Sequence, residues 1–133
     1  MRRTPGATVE GFHKLIVKVQ KAGDYTIPRD RLGLYTMPGQ NEGTINITRV
    51  HGIDGTNPDD MTRAEIETQK QILQAARFLR KYVPGFENSR IMSTPFQVGV
   101  RETRHIKGTF TLTKEIVLSG ASFEDQIGRG AYP

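Results

Sequence analysis

The middle of the chain carries the strongest constraint on the fold, because one long stretch repeats apolar residues at the spacing of an α-helix. Thr62 and Glu65 match the T-x-x-E capping box, in which two side chains satisfy free N–H groups of the first turn. Pro84 cannot continue a helix and marks its end. The pattern predicts a helix over about residues 62–83 with one apolar stripe. The stripe consists of Ile66, Ile72, Leu73, Ala76, Leu79 and Val83.

The segments around this helix show the patterns of strands and short helices. Alternating or β-branched apolar residues predict strands in five segments: residues 12–20, 32–37, 44–50, 90–100 and 108–112. Near the C-terminus, Thr113 and Ser122 are predicted to cap two short helices. The predicted fold class is α+β, with an antiparallel or mixed sheet, the long helix and short helices near the C-terminus. The length of 133 residues predicts a single domain, residues 1–133.

Charge and composition limit the classes of partner. The net charge of +5 makes a polyanion a candidate. The basic residues are scattered and no recognition motif with interleaved aromatic residues occurs in the sequence, which argues against nucleic acid. No apolar run approaches the roughly 18 residues of a membrane span or follows the basic start as a signal peptide would. We therefore expect a cytoplasmic protein without membrane contact.

The sequence lacks the motifs of self-sufficient enzymes and metal proteins. It contains no G-x-G-x-x-G, Walker loop, H-E-x-x-H or G-x-S-x-G, and it has no Cys. The three histidines have no metal-ligand spacing: His13, His51 and His105. One acidic cluster suggests calcium: Asp54, Asp59 and Asp60. Because Pro58 interrupts it and the EF-hand glycine and glutamate do not fit, we predict a turn before the helix and no metal site.

One short stretch, "VGVRETRHIKG", concentrates charge between two apolar runs. Arg101 and Arg104 carry planar guanidiniums that suit bidentate recognition of carboxylate or phosphate. Glu102 could hold an arginine in place, and His105 could carry a proton. In a helix, the two arginines and His105 would share one face. On the residues alone, an intramolecular ion-pair network explains this stretch more simply than a binding site.

Five stretches stand in a recognisable order along the chain: "NITRVHGIDGT", "MTRAEIETQKQ", "FLRKYVPGFENS", "VGVRETRHIKGTFTLTKEIVLSG" and "FEDQIGRGAYP". In this order, and with approximate spacings, they resemble a group of bacterial FAD-dependent oxidoreductases of the glutathione-reductase-like flavoprotein type. The resemblance covers about residues 25–133 and concerns the middle substrate or cap region of such proteins. That region is built from antiparallel strands and helices.

The resemblance implies what the complete protein does and what this chain lacks. The complete enzyme would pass a hydride between its substrate and FAD, whose chemistry belongs to the cofactor. No Gly-rich loop for the pyrophosphate occurs here, so FAD is expected in the complete protein and no tight FAD binding by this chain alone. The expected partners are FAD-binding segments of the same protein or of another chain. The isolated chain is expected to be inactive and to position the substrate once those segments are present.

The resemblance also assigns roles within the charged stretch. The family's G-[IV]-R-E-[ST]-R motif matches the residues from Gly99 to Arg104. By this resemblance, Arg101 and Arg104 are expected to anchor an anion or substrate facing the flavin, with Glu102 orienting them. His105 stands where an arginine is more usual. No residue is assigned to catalysis or to cofactor binding.

Two other functions remain open on the sequence alone. The charge allows a small basic, non-catalytic binding module for an anionic partner. The low apolar fraction of 35% allows a structural domain that associates with itself as a homo-oligomer through exposed strand edges. The sequence does not determine the substrate or the electron donor and acceptor.

Overall fold

The computed structural model describes residues 8–37, 41–128 and 130. The chain divides into two compact units, residues 1–103 and residues 104–133, which are described separately. The first unit contains strands β1 to β3 and helices α1 and α2, and the second contains helix α3. The predicted α+β class is confirmed, whereas the organisation as a single domain remains a prediction.

A three-stranded antiparallel sheet forms one side of the first unit. Its strands are β1 (Thr8–Gly11), β2 (Leu32–Thr36) and β3 (Gly43–Asn46), in the order β1-β2-β3. Leu34 of β2 is paired with Val9 on one side and Ile45 on the other. The strand predicted at 32–37 is confirmed. The strand predicted over 44–50 ends after Asn46, and β1 was not predicted.

Residues 12–20 form a helix and not the predicted strand. Helix α1 spans His13–Lys21. Ile16 and Val19 are buried, while Phe12 and Leu15 pack against the core, so the apolar positions follow the i, i+3, i+4, i+7 spacing of a helix face. The strand prediction failed because it emphasised alternate positions and left Ile16 out of the pattern.

Helix α2 (Pro58–Tyr82) begins one turn earlier than predicted. Its N-cap is Asn57, whose side-chain oxygen accepts a hydrogen bond from the N–H of Asp59 at 2.9 Å. Pro58 occupies the first helical position, where its missing N–H is not needed. The predicted capping box is wrong, because Thr62 lies inside the helix and donates to the carbonyl of Pro58 at 3.0 Å.

The buried face of α2 differs in part from the predicted stripe. Ile66 and Leu73 belong to the predicted apolar stripe, but each is 55% exposed. The buried positions within the helix are Ala64, Gln71, Ala75, Phe78 and Leu79. The face is therefore rotated around the helix, and small and polar residues occupy positions that a hydrophobic pattern does not mark.

Phe78 lies at the centre of the core of the first unit. Its ring meets the Tyr25 ring edge-on with the centroids 5.0 Å apart, and it lies 5.7 Å from the ring of Tyr82. The buried core cluster consists of Ile16, Val19, Tyr25, Ile27, Leu32, Ile47, Ala75, Phe78, Leu79 and Val83. This core holds α1, α2, β2 and the segments that follow α1 and β3 against one another.

Polar contacts attach irregular chain segments to α2. The buried side chain of Gln71 accepts from the N–H of Arg49 at 2.8 Å and donates to its carbonyl at 2.9 Å. This pair of bonds replaces the strand pairing that the sequence predicts beyond Asn46. Asp24 accepts hydrogen bonds from Lys81 and Tyr82. The bond from Lys81 and then that from Tyr82 hold the pKa of Asp24 below its usual value.

The segment from residue 90 to residue 100 is not the predicted strand. It has no regular secondary structure, and most of its residues are exposed, including Met92 and Phe96. A strand needs the edge of a neighbouring strand for its N–H and C=O groups. Within the described ranges, the sheet pairs only β1 with β2 and β2 with β3, so this segment is not hydrogen-bonded to any strand of the sheet.

The second unit contains helix α3 (Lys114–Ser119), with Thr113 as its N-cap as predicted. Gly120 ends the helix with a φ of 61°, in the left-handed region that suits glycine. The strand predicted at 108–112 does not form, and the helix predicted from Ser122 is replaced by a turn at residues 124–125. Ile116 is the only described residue of this unit that is not exposed, so α3 lacks the apolar cover that would extend it.

No helix among the described residues is long and apolar enough to cross a membrane. Helix α2 has sufficient length but carries charged residues along it. The cytoplasmic location remains a prediction.

Candidate functional site

Arg101 and Glu102 line a large groove in the first unit. Helix α2 forms one wall, β3 and the chain after it form a second, and the segment from Pro84 to Glu102 forms a third. The groove has a volume of about 1650 Å³. Small-molecule pockets usually measure about 300–1,000 Å³, so this groove has room for a ligand together with part of a protein.

The walls of the groove combine apolar side chains with several arginines. Apolar contributions come from Ile45, Ile47, Ile72, Ile91, Met92 and Phe96. The guanidinium-bearing residues are Arg49, Arg80, Arg90 and Arg101. Glu42, Glu65 and Glu102 provide the acidic groups. An apolar cleft with guanidiniums at its walls suits a ligand that carries both an apolar body and an oxyanion.

The sequence prediction found only one of these four arginines. Arg80 lies in the last turn of α2, where the helix dipole favours a cation, and Arg49 and Arg90 carry no sequence signal of a site. Arg49 follows β3 and Arg90 follows the turns after α2, so they lie far apart in sequence. Their convergence depends on the path of residues 84–102, which carries no periodic signal.

Gly55 lies directly against the charged stretch. A Cβ atom on Gly55 would come within 2.7 Å of Cγ1 of Val100 and within 2.8 Å of Cγ2 of Thr103. The turn before α2 and the residues around Arg101 are therefore in close contact. In the sequence, Gly55 belongs to the turn predicted before α2. Glycine is common in turns, so its presence there does not predict such a contact.

The four predicted site residues are not shown to form one cluster. Arg101 and Glu102 belong to the first unit, whereas Arg104 and His105 begin the second. Residues 101–108 have no helical structure, so the shared helix face considered for the arginines does not form. The roles predicted for these residues remain predictions.

Neither arginine of the charged stretch forms an ion pair with a described carboxylate, while Glu102 and His105 each have a contact within the structure. The ion pairs among the described residues include His13–Asp30, Arg63–Asp60, Lys70–Glu67 and Lys81–Asp24. Neither Arg101 nor Arg104 takes part in any of them. Both arginine side chains are exposed, so their guanidiniums are available to a ligand.

The acidic residues near Asp54 act in the local structure, as the turn prediction required. Asp54 accepts from the N–H and the hydroxyl of Thr56, at 2.8 and 2.7 Å. Asp60 accepts from the N–H of Asp54 at 2.8 Å and forms an ion pair with Arg63 at 2.8 Å. Across the described ranges, no group of three or more His, Asp or Glu side chains is arranged to hold a metal ion.

A family model described as FAD dependent oxidoreductase matches residues 2–133. The chain belongs to this family of FAD-dependent oxidoreductases. The match covers almost the whole sequence and confirms the family to which the five stretches pointed, while the glutathione-reductase-like subtype remains a prediction. No curated protein and no solved structure matches the chain significantly. Membership of the family implies FAD in the complete protein.

The described residues of this FAD-dependent oxidoreductase do not fit the pyrophosphate of FAD. That group needs free N–H donors at a helix N-terminus that glycines allow it to approach. At the start of α2, the side chain of Asn57 already accepts a hydrogen bond, and Asp59 and Asp60 add negative charge to the first turn. Only Phe12 separates β1 from helix α1, and this bulky residue is the N-cap of the helix. Neither helix therefore offers a phosphate cradle.

Proposed function

We propose that this chain forms the substrate-facing part of a FAD-dependent oxidoreductase, with FAD held by another segment or a partner chain. Arg101 binds an anionic group of the substrate, and the apolar walls of the groove hold its body. The observation that carries the proposal is the position of Arg101 in the lining of the apolar groove. The redox chemistry belongs to the flavin and lies outside the described residues.

The surroundings of Arg101 support an anion-binding role. Its guanidinium has no ion-pair partner in the described part of the chain, so binding an oxyanion breaks no ion pair there. A guanidinium can donate two parallel hydrogen bonds to a carboxylate or phosphate, which fixes the direction of the bound group. The apolar side chains around it exclude water when the groove is covered, and this strengthens the charged contact.

The remaining residues of the charged stretch keep their predicted roles within this proposal. By the family motif, Arg104 is a predicted anchor of its own and Glu102 a predicted orienting residue. His105 replaces an arginine that is more usual in the family, so the anion is held by fewer permanent charges than in those relatives. These assignments rest on the motif from Gly99 to Arg104.

Benzoate tests the role of Arg101, since it combines a carboxylate with an apolar ring. Met92 lines the groove, and the NMR signal of its methyl group should shift as benzoate is added to the chain. We expect Arg101→Ala to weaken benzoate binding about tenfold, the effect of losing a charged hydrogen-bonded contact.

Two controls separate the guanidinium from general charge and apolar contact. Arg77→Ala removes the same charge from an exposed position of α2 that does not line the groove, and it should leave the affinity unchanged. Benzyl alcohol has a similar shape without the charge and should bind equally to the parent chain and to Arg101→Ala. Equal benzoate affinity of the parent chain and Arg101→Ala would contradict the assignment.

A protein partner is part of the same proposal, and the second unit supports it. Its exposed large apolar side chains are Ile106, Phe110, Leu112, Val117, Leu118, Phe123 and Ile127. So many large apolar side chains exposed in one short unit favour a protein contact. We infer that the FAD-binding part of the enzyme covers it, and the competing occupant is a second copy of this chain.

Light scattering distinguishes the two occupants. We expect the isolated chain to associate weakly and reversibly, and to become a defined 1:1 complex when it is purified with the FAD-binding polypeptide. Leu118→Lys places a charge on a side chain that is 75% exposed and should weaken that complex without unfolding the first unit. A stable homo-oligomer that persists in the presence of the FAD-binding polypeptide would contradict the inference.

A further inference from the structure

Position 55 lies so close to the charged stretch that no residue larger than glycine fits there. A Cβ atom at this position would lie 2.7 Å from Cγ1 of Val100 and 2.8 Å from Cγ2 of Thr103, which is closer than Cβ atoms approach other atoms in proteins. Ordinary van der Waals contact begins near 3.4 Å, so a methyl group at this position would push the neighbouring chain away by about 0.7 Å. Gly55 is half-buried, which leaves the added methyl group little open space elsewhere.

The contact itself, and not the backbone conformation, requires a glycine here. Gly55 is not among the glycines with a positive φ in the left-handed region, so an alanine would not strain its backbone. The atoms opposite belong to Val100 and Thr103, two β-branched residues whose side chains rotate little about χ1. They cannot swing aside at low cost, so the backbone between them must move.

Arg101 lies in the sequence between these two contact residues. Any displacement of Val100 and Thr103 therefore moves the backbone that carries the guanidinium into the groove. A bidentate pair of hydrogen bonds from a guanidinium to a carboxylate depends on the relative orientation of the two groups. A shift of several tenths of an ångström at the backbone is large enough to weaken it.

We propose that Gly55 is a positioning residue, which seats Val100 and Thr103 and thereby aims Arg101 into the groove. The turn before α2 and the charged stretch then act as one part of the substrate site. This inference rests on the proposed role of Arg101 as an anion anchor. It adds a residue from a different part of the sequence, 46 positions before Arg101.

The first measurement tests the geometry without any ligand. Residual dipolar couplings of the Arg101 and Glu102 amides, referenced to those of α2, report the direction of this backbone. We expect Gly55→Ala to change these couplings beyond experimental error. Gly99→Ala is the matched control, because a Cβ there meets nothing within 4 Å, and it should leave them unchanged. Unchanged couplings in Gly55→Ala would overturn the proposal.

The second measurement tests the consequence for binding. We expect Gly55→Ala to weaken benzoate binding about threefold to tenfold. The loss should not exceed that of Arg101→Ala, which removes the guanidinium altogether. Affinities should be measured where both variants are fully folded, so that a lower stability alone does not change them. An unchanged affinity together with changed couplings would show that Gly55 positions the backbone without serving the anion site, and would overturn the proposal.

A size-compensating variant separates positioning from a merely structural role. Adding Val100→Ala and Thr103→Ser to Gly55→Ala removes the two methyl groups that the new side chain would meet. We expect this triple variant to regain both the couplings and the benzoate affinity. If Gly55 served only stability, the trimmed side chains would destabilise the chain further and restore nothing, which would also overturn the proposal.

The two measurements keep this inference distinct from the proposed function. If the parent chain binds no benzoate at Arg101, the proposed anion site fails and Gly55 has no site to serve. In that case, the dipolar couplings still show whether Gly55 seats the charged stretch. Binding in the parent chain with no response to Gly55→Ala rejects the positioning role alone.

Discussion

Replacing Phe78 by alanine is expected to lower the free energy of unfolding by about 3–5 kcal/mol, the usual cost of removing a buried aromatic ring. Phe78 is 2% exposed and contacts two other rings, Tyr25 and Tyr82. The edge-on contact with Tyr25 adds to the loss. Since small proteins are stable by only about 5–15 kcal/mol, this single change should bring the first unit close to unfolding.

Leu73→Ala is the matched control on the same helix. Leu73 is 55% exposed, so its truncation should cost less than about 1 kcal/mol. Urea unfolding followed by circular dichroism measures both variants against the parent chain. Similar losses for the two variants would contradict the orientation of α2, because the predicted apolar stripe placed Leu73 in the core.

Tyr25 is expected to make the stability of the first unit fall at alkaline pH. Burial raises the pKa of its phenol to about 12 from an ordinary value of 10.0, and the charge of Arg29 opposes part of this rise. In the unfolded chain the phenol ionises near pH 10, while in the folded chain it keeps its proton. The stabilisation is therefore complete below pH 10 and is lost as the pH rises through 12. A shift of this size corresponds to roughly 2–3 kcal/mol.

Tyr25→Phe isolates this effect from the other groups that titrate at high pH. Among the described residues, the buried hydroxyl of Tyr25 has no hydrogen-bond partner. Its removal should therefore change the stability at pH 7 by less than about 1 kcal/mol, and a small gain is expected. Urea unfolding between pH 9 and pH 12 should show a shallower decline for Tyr25→Phe. Parallel declines for the two proteins would show that Tyr25 is not shielded from water.

The sequence predicted elements best where one local pattern had a single interpretation. The end of α2, the strand β2 and the Thr113 cap of α3 all follow from short, unambiguous signals. In residues 12–20, the apolar residues fit both a strand and a helix, and the burial of Ile16 and Val19 in the core cluster that also contains Phe78 selects the helix. Such contacts come from distant parts of the chain and are invisible in a local window.

The failures at 90–100 and 108–112 have a different cause. Both segments have residues suited to strands, but a strand forms only when a neighbouring edge is in reach. No such edge is paired with them in the part of the chain that the structure describes. The side chain of Phe96, in the first segment, is 92% exposed, and that of Ile106, just before the second segment, is 95% exposed. A partner that supplies an edge would reconcile the strand patterns with the observed conformation.

The candidate site was predictable only in part. The charged stretch was recognised from its composition and from the family motif, and Arg101 and Glu102 do line the groove. The contribution of Gly55 was not predictable, because its importance depends on which side chains lie across from it. The groove is formed by three walls that are distant in sequence, so no single segment of the sequence predicts it.

The most direct test of the central claim uses the FAD-loaded enzyme that contains this chain. Benzoate is added, and the visible absorbance of the flavin reports an anion that binds next to it. We predict a saturable spectral change that requires about tenfold more benzoate in Arg101→Ala and the same amount in Arg77→Ala. The flavin content of both variants should equal that of the parent enzyme. A change with the same benzoate dependence in Arg101→Ala, or no change in the parent enzyme, would contradict the placement of Arg101 on the substrate side of the flavin.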